Sequence, residues 1–280
     1  MIIFKQANSL TEYIRNAKNN GQKIGFTPTM GALHQGHLTL VQAANKDNDL
    51  TVCSIFVNPT QFNNADDFKH YPVTVEKDIE QLVASGCDVL FLPSVEEVYP
   101  PGYQKKHYEL GAIENSLEGF YRPGHFQGVC QVVDRLLEIV CPDALYMGQK
   151  DFQQCIVVKE LLALTGKDKH IQLHIIDTVR EATGLAMSSR NLRLSEAEKQ
   201  NATSIYKELV QIKQGIRLRS IDQLKQAAKA HLEELGFMVD YVEIANTQNL
   251  APAQKTDESI VALIAASLGN VRLIDNLLLN

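Results

Sequence analysis

The chain has 280 residues, 45% of them hydrophobic, and 27 Lys and Arg against 33 Asp and Glu give a net charge of −6. That is enough apolar material for one large domain or two modest ones, and the mildly acidic balance argues against a protein that lives on nucleic acid. Apolar runs such as "SIVALIAASLG" fall far short of the roughly 20 residues a membrane span requires.

The opening "MIIFKQANSLTEY" has no basic segment, long apolar run or small-residue cleavage site, which predicts a cytoplasmic protein. Within it, Ser9 to Glu12 forms a capping box that predicts a helix to about Asn20. "KIGFTP" reads as a strand, and a helix follows His37 through "LTLVQAANK". "LTVCSIFVN" is an almost continuous β-branched and apolar run, as in a strand buried on both faces. "TVEKDIEQLVASG" is a helix with its stop at Gly86, and "DVLFLPS" a second buried strand. "HFQGVCQVVDRLLEIV" is a helix ended by Cys141-Pro142. "DALYMG" is a strand, "KDFQQCIVVKELLALTG" a helix and "IQLHIIDTV" a strand. This alternation predicts an α/β fold of the Rossmann type, a parallel sheet with helices on both faces. Such sheets bind ligands at the carboxyl ends of their strands.

The texture changes after about Thr183. Two helices follow, the first opened by a capping box at Ser195 to Glu198 and the second spanning "SIDQLKQAAKAHLEELG". "VDYVEIAN", "ESIVALIAASLG" and "VRLIDNLLL" then read as strands. The pattern divides the chain into a larger domain over 1–183 and a smaller α+β domain over 184–280. The crevice between them is the expected wall of an active site. The five cysteines, Cys53, Cys87, Cys130, Cys141 and Cys155, include no Cys-x-x-Cys pair and mostly sit in apolar runs. They read as small core residues rather than a disulfide framework or zinc knuckle.

Phosphate-seeking groups recur where strands hand over to helices. In "FTPTMGALHQGHLTL", His34 and His37 stand at i and i+3 where a helix begins. Two imidazoles there can share one side of the turn with unpaired N–H groups and a positive helix end. Surface histidines or half of a metal site are the competing readings. In "MGQKDFQQ", Lys150 falls in a first helical turn, where a cation is disfavoured unless an anion is present; the alternative is an ordinary solvent-facing turn. In "GLAMSSRNLRLS", Ser188, Ser189 and Arg190 suit a polyphosphate, against a plain linker with capping serines. In "FVNPTQFN", Asn58 and Gln61 offer uncharged amides for a small polar substrate, although Asn-Pro is also a common turn. A parallel sheet brings these strand ends to one edge, and that convergence points to a nucleotide site. No Gly-x-x-x-x-Gly-Lys-Ser/Thr loop is present, so it is not a P-loop protein.

In their order, "PTMGALHQGH", "SIFVNPTQF", "YRPGHFQGV", "GQKDFQQ", "GLAMSSRN" and "RLIDN" resemble the pantothenate synthetase (pantoate–β-alanine ligase) family. "HQGH" alone is similar to the His-x-Gly-His signature of nucleotidyl transferases and class I aminoacyl-tRNA synthetases. The likeness runs from about Ile3 to Asn276. It implies ATP-dependent joining of (R)-pantoate to β-alanine through a pantoyl adenylate, releasing AMP and diphosphate. It also implies Mg²⁺, a lid-like C-terminal domain and a homodimer, with small-molecule substrates and neither nucleic acid nor membrane as partners. Carried across, Met30, Gly31, Ala32, Leu33, His34, Gln35, Gly36 and His37 match the ATP-binding turn, with His37 as proton donor. Gln61 matches a residue shared by pantoate and β-alanine. Gly148, Gln149, Lys150 and Asp151 match a second ATP segment, Gln154 a pantoate contact and Val179 a position near the adenine. Met187, Ser188, Ser189 and Arg190 match a mobile phosphate-holding loop, and Asp78 a Mg²⁺ contact. Because pantoate's carboxylate is itself the nucleophile, the enzyme's task is positioning and charge stabilisation, for which His34, His37 and Lys150 are suited. Two other functions stay open: nucleotidyl transfer without amide formation, and a non-catalytic nucleotide-binding regulator.

Overall fold

A computed structural model of the chain describes residues 1–62, 65–254 and 256–279; Asn63, the end of the "FVNPTQFN" segment, lies outside them. The first part of the chain contributes β1 (Ile2–Phe4), α1 (Ala7–Asn19), β2 (Ile24–Thr29), α2 (Gln35–Asp47), β3 (Leu50–Ile55), α3 (Ala65–Lys69), α4 (Val75–Ala84), β4 (Val89–Phe91) and α5 (Val95–Val98). There follow α6 (Glu118–Tyr121), α7 (His125–Val140), β5 (Ala144–Gly148), α8 (Phe152–Leu164) and β6 (Gln172–Ile176). The last part holds α9 (Glu196–Gly215), α10 (Ile221–Glu234), β7 (Met238–Asn246), β8 (Ile260–Leu268) and β9 (Val271–Leu278). The first six strands form one sheet in the order β1-β4-β3-β2-β5-β6, with every neighbouring pair parallel. The last three form a separate antiparallel sheet, β7-β8-β9.

The central strand β3 is buried along its whole length because successive side chains face two different helical layers. Leu50 and Val52 pack with Ile24, Phe26, Val89 and Phe91 under α1 and α7. Cys53 and Ile55 pack on the other face with Val41 of α2 and Leu82 of α4. Burying each large side chain contributes roughly 1.5–3 kcal/mol. In the second sheet, Leu209, Ile212, Leu224 and Leu232 of α9 and α10 cover Ile244, Ala262 and Ile264. The other face of that sheet, through Tyr241, Leu263 and Ala265, meets Phe152 and Ile156 of α8. Helix α8 also contributes Val157, Val158 and Leu161 to the larger core, which explains why it is apolar around most of its circumference.

One local reading is corrected, and one element is new. Helix α1 begins at Ala7 rather than at the Ser9 box, and Gln6 is its N-cap. The Ala7 N–H donates to Glu97, 2.8 Å away, so a distant carboxylate performs the capping. Strand β1 has no counterpart in the sequence reading. Three residues show no usable periodicity, and the strand exists because it pairs with β4.

The helix α7 positions the start of the cleft. Gly128 lies so close to the turn after β3 that a Cβ there would sit 2.4 Å from the Thr60 carbonyl oxygen and 2.7 Å from Gln61 Cα. Glycine to alanine inside a helix ordinarily stabilises by up to about 1 kcal/mol. Here the sign reverses, and Gly128→Ala is expected to lower unfolding free energy by about 1–3 kcal/mol. Urea denaturation checks this; a variant as stable as the parent refutes the close approach.

Candidate active site

The chain leaves β2 into a turn whose Gly31 (φ 80°) and Ala32 (φ 48°) are both left-handed. For Ala32 that conformation costs roughly 1–2 kcal/mol. The turn is held by Asp78, which is 1% exposed. Its carboxylate accepts the N–H groups of Ala32 at 2.9 Å and Leu33 at 2.8 Å, and the Thr74 hydroxyl at 3.0 Å. A Cβ on Gly31 would stand 3.0 Å from Asp78 Oδ2, so only glycine lets the carboxylate come this near. This is the carboxylate that the resemblance matches to a Mg²⁺ contact. The carboxylate is spent on the backbone and does not line the main cleft.

Beyond the turn, α2 opens with a capping box built from imidazoles. His34 Nδ1 accepts the Gly36 N–H at 3.2 Å, and His37 Nδ1 accepts the His34 N–H at 3.3 Å. The rings lie 4.0 Å apart, centre to centre. Because each Nδ1 is an acceptor, each Nε2 carries the proton and remains a donor. Burial, then Lys150, pushes the His34 pKa down to about 4. Burial, then His34 and Lys150, holds His37 well below its ordinary value. The pair is therefore neutral near pH 7, two N–H donors beside one ammonium.

Lys150 lies in a single 3₁₀ turn, Gln149–Asp151, between β5 and α8. That turn is pinned from the second sheet. Asn276 on β9 donates to the carbonyls of Gln149 and Lys150, both at 2.9 Å, and accepts from the Gln149 amide at 3.1 Å. The neighbouring Asp275 takes Arg180 at 2.6 and 3.0 Å. The "RLIDN" motif carries this brace, a role that sequence reading did not assign.

In the loop after β6, the Ser188 hydroxyl accepts the Arg190 N–H at 3.3 Å and opens a 3₁₀ turn. The Ser189 hydroxyl donates to the Ala32 carbonyl at 3.0 Å, tying this loop to the His34 turn. Arg190 is paired with Asp67 through contacts of 2.8 and 3.3 Å, and Arg193 reaches the same carboxylate at 3.1 Å. Burial raises the Asp67 pKa, but the hydrogen bonds from Arg190 win and hold the group below the ordinary carboxylate range.

Gln61 ends a 3₁₀ turn after β3 and is 9% exposed. Asn58 donates to its side-chain oxygen at 3.4 Å, and Tyr99 donates to Asn58 at 3.1 Å. His125 Nδ1 donates to the Gln61 carbonyl at 2.8 Å. The Gln61 amide donates to the Met30 sulfur at 2.9 Å. Burial, then Arg122, pushes the His125 pKa down to about 4.

One cavity of about 230 Å³ collects Met30, His34, Gly36, His37, Gln61, Gly148, Lys150, Asp151, Gln154, Val179, Met187, Ser188, Ser189 and Arg190. It lies at the carboxyl ends of β2, β3, β5 and β6, with Tyr241, Leu263 and Ile274 of the second sheet closing one side. Gly31, Ala32, Leu33, Gln35 and Gln149 do not line it. The first three face Asp78, Gln35 is exposed and Gln149 turns to Asn276. Glu118, Arg122, His125 and Tyr71 line the cavity without having been singled out. Two of them stood in the quoted "YRPGHFQGV" segment, whose roles are tertiary.

The chain matches the family model described as pantoate-beta-alanine ligase over residues 2–278. A pantothenate synthetase of Alteromonas mediterranea is 42% identical over 280 residues, covering 99% of each chain. One of Aquifex aeolicus is 41% identical, covering 98% of each. The crystal structure of pantothenate synthetase from Thermus thermophilus superposes with a TM-score of 0.92 at 35% identity, covering 99% of both chains. A pantoate-beta-alanine ligase from Francisella tularensis, complexed with beta-gamma ATP and β-alanine, gives a TM-score of 0.82 at 37% identity over 99% of this chain and 97% of that one.

Two outcomes are expected. Asp78→Ala strands two buried N–H groups and costs about 3 kcal/mol in urea denaturation; a fall in activity with unchanged stability points instead to a metal role. The folded pKa values of His34 and His125, about 4, lie below the ordinary 6.5. Their contribution to stability is therefore full above about pH 6.5 and is lost as the pH falls toward 4. His125→Gln is expected to flatten the decline of unfolding free energy between pH 7 and 5, and an unaltered slope refutes this.

Proposed function

The chain belongs to the pantoate–β-alanine ligase family, and from that premise we propose that it joins (R)-pantoate to β-alanine with ATP as the activating substrate. The observation that carries this reading is a single cleft holding phosphate-directed donors on one side and uncharged amides on the other. Pantoate's carboxylate attacks the α-phosphorus, the bond to diphosphate breaks, and a pantoyl adenylate remains. The amine of β-alanine then attacks the acyl carbon, a C–N bond forms, AMP leaves with the electron pair of the broken C–O bond, and the nitrogen releases a proton.

In this reading His34, His37 and Lys150 stabilise charge on the phosphates, with His37 as the proton donor. Neutral Nε2–H donors suit the task, since the anionic nucleotide itself would raise the pKa of both rings as it arrives. Met30 to His37, Gly148 to Asp151, Val179 and Met187 to Arg190 form the ATP site; the turn residues beneath the cleft serve through their backbone. Gln61 and Gln154 hold pantoate, and Gln61 also meets β-alanine. Arg190 must exchange Asp67 for phosphate, which makes its loop the moving part. Residues 1–183 act as the ATP- and pantoate-binding domain and 184–280 as the lid. A homodimer in the cytoplasm completes the reading, on the strength of the family resemblance.

Mg²⁺ fits poorly as a resident cofactor. Among the described residues no three His, Cys, Asp or Glu side chains group to hold a metal, and Asp78 is committed elsewhere. We take Mg²⁺ to enter as part of the ATP substrate, bound by phosphate oxygens and water.

Incubation with ATP, pantoate and β-alanine is expected to release AMP only when all three are present. AMP release indifferent to β-alanine removes the ligase reading in favour of simple nucleotidyl transfer. His37→Ala and Lys150→Ala are each expected to slow pantoate-dependent exchange of labelled diphosphate into ATP by about 100-fold. Near-normal exchange in either variant refutes that residue's role.

A further inference from the structure

A second cavity, of about 730 Å³, adjoins the first and shares Glu118, Arg122, Lys150, Ser188 and Arg190 with it. It is lined further by Asp240 and Arg272 of the second sheet and by Ala202, Ile205 and Tyr206 of α9. Most of its arginines are committed. Arg190 and Arg193 hold Asp67. Arg272 holds Glu118 through two contacts of 2.7 Å and Asp240 through a third of 2.7 Å.

Arg122 is different. Its side chain is only 19% exposed, and its nearest acid, Glu118, is 3.7 Å away, beyond hydrogen-bond length. Glu118 already accepts two hydrogen bonds from Arg272 and one from the Tyr241 hydroxyl at 2.9 Å. Among the described residues the Arg122 guanidinium makes no hydrogen bond to a side chain, and its ionic contact is the one with Glu118, which leaves donors of the fork facing the cavities. Burial lowers its pKa; Glu118 opposes that effect, and Arg190 and Arg272 add to it. Such a group favours an incoming anion.

Three anions visit this enzyme's cleft under the ligase reading: the nucleotide phosphates, the carboxylate of pantoate, which has to face the α-phosphorus, and the carboxylate of β-alanine. The position of Arg122 favours the third. The Arg122 carbonyl accepts the His125 N–H at 3.0 Å, and His125 in turn donates to the Gln61 carbonyl at 2.8 Å. The Arg122 side chain lines both cavities, whereas His34, His37, Gln61 and Gln154, where pantoate and the α-phosphate would meet, line only the inner one. When the β-alanine nitrogen is a free amine ready to attack, its only charge is the carboxylate two methylenes away. A forked cation where the inner cleft meets the outer basin would hold that carboxylate and aim the amine inward.

We propose that Arg122 is the anchor for the β-alanine carboxylate, and that the outer basin is the vestibule through which this second substrate enters. The inference rests on the ligase reading and deepens it.

The two half-reactions separate the possibilities. Pantoate-dependent diphosphate exchange into ATP needs no β-alanine, whereas AMP release needs it. Arg122→Gln is expected to raise the β-alanine KM roughly tenfold or more and to lower exchange far less. The preference for β-alanine over 3-aminopropan-1-ol, the same amine without the carboxylate, should collapse by a similar factor. Arg122→Lys should recover part of that preference, since charge returns without the fork. It also keeps the measurement available if the glutamine variant does not fold. Exchange falling in parallel with an unchanged β-alanine KM overturns the proposal and assigns Arg122 to the nucleotide phosphates or to pantoate's carboxylate. An unchanged KM and an unchanged preference overturn it as well. No pantoate-dependent exchange in the parent enzyme is a separate failure, that of the ligase reading itself.

Discussion

The site depends on one buried carboxylate accepting two consecutive backbone N–H groups. Asp78 meets Ala32 and Leu33 at 2.9 and 2.8 Å and thereby holds two successive left-handed residues that an unsupported chain would abandon. A concavity of this kind is a natural seat for an anion. Here the protein fills it with its own side chain and keeps it from the substrate. What the turn then presents to the cleft is the pair of imidazoles just beyond it. Their orientation is set in the same backbone, through the reciprocal hydrogen bonds of His34 and His37.

The second sheet does more than cover the cleft. Asn276 braces the turn that carries Lys150, and Ser189 ties the phosphate-directed loop to the Ala32 carbonyl. Arg272 on β9 holds Glu118 across the gap with bidentate geometry. A buried ion pair contributes little net stability once desolvation is counted, but removing one partner is costly. These pairs define how the two parts of the chain meet more than they hold it folded. The apolar contact of Phe152 and Ile156 with Tyr241 and Leu263 supplies the cohesion.

Much of this was legible in the sequence because parallel strands buried on both faces leave long apolar runs. Helix α7 was readable residue for residue, since a capping glycine turn and Cys141-Pro142 bound it on either side. The residues that share the inner cavity were readable because they cluster at strand-to-helix turns. What could not be read were partners far apart along the chain. Glu97 capping α1 and Asp78 stapling a turn 46 residues earlier have no local signature. The neutrality of His34 and His37 follows from burial beside Lys150, which spacing alone does not reveal. Likewise "YRPGHFQGV" and "RLIDN" could be quoted as motifs, yet their work lies in contacts across the cleft.

The Gln61 amide rests on the sulfur of Met30, 2.9 Å away. A thioether is a weak acceptor, so the donor is occupied without being strongly bound. In the proposed reading a pantoate oxygen takes its place, a poor hydrogen bond is exchanged for a good one, and little of the gain is cancelled by what is given up. In calorimetric terms, this corner of the cleft should make the acid's association more exothermic than the same amide parked on a carbonyl. A flexible apolar side chain thereby serves as a placeholder that yields at small enthalpic cost.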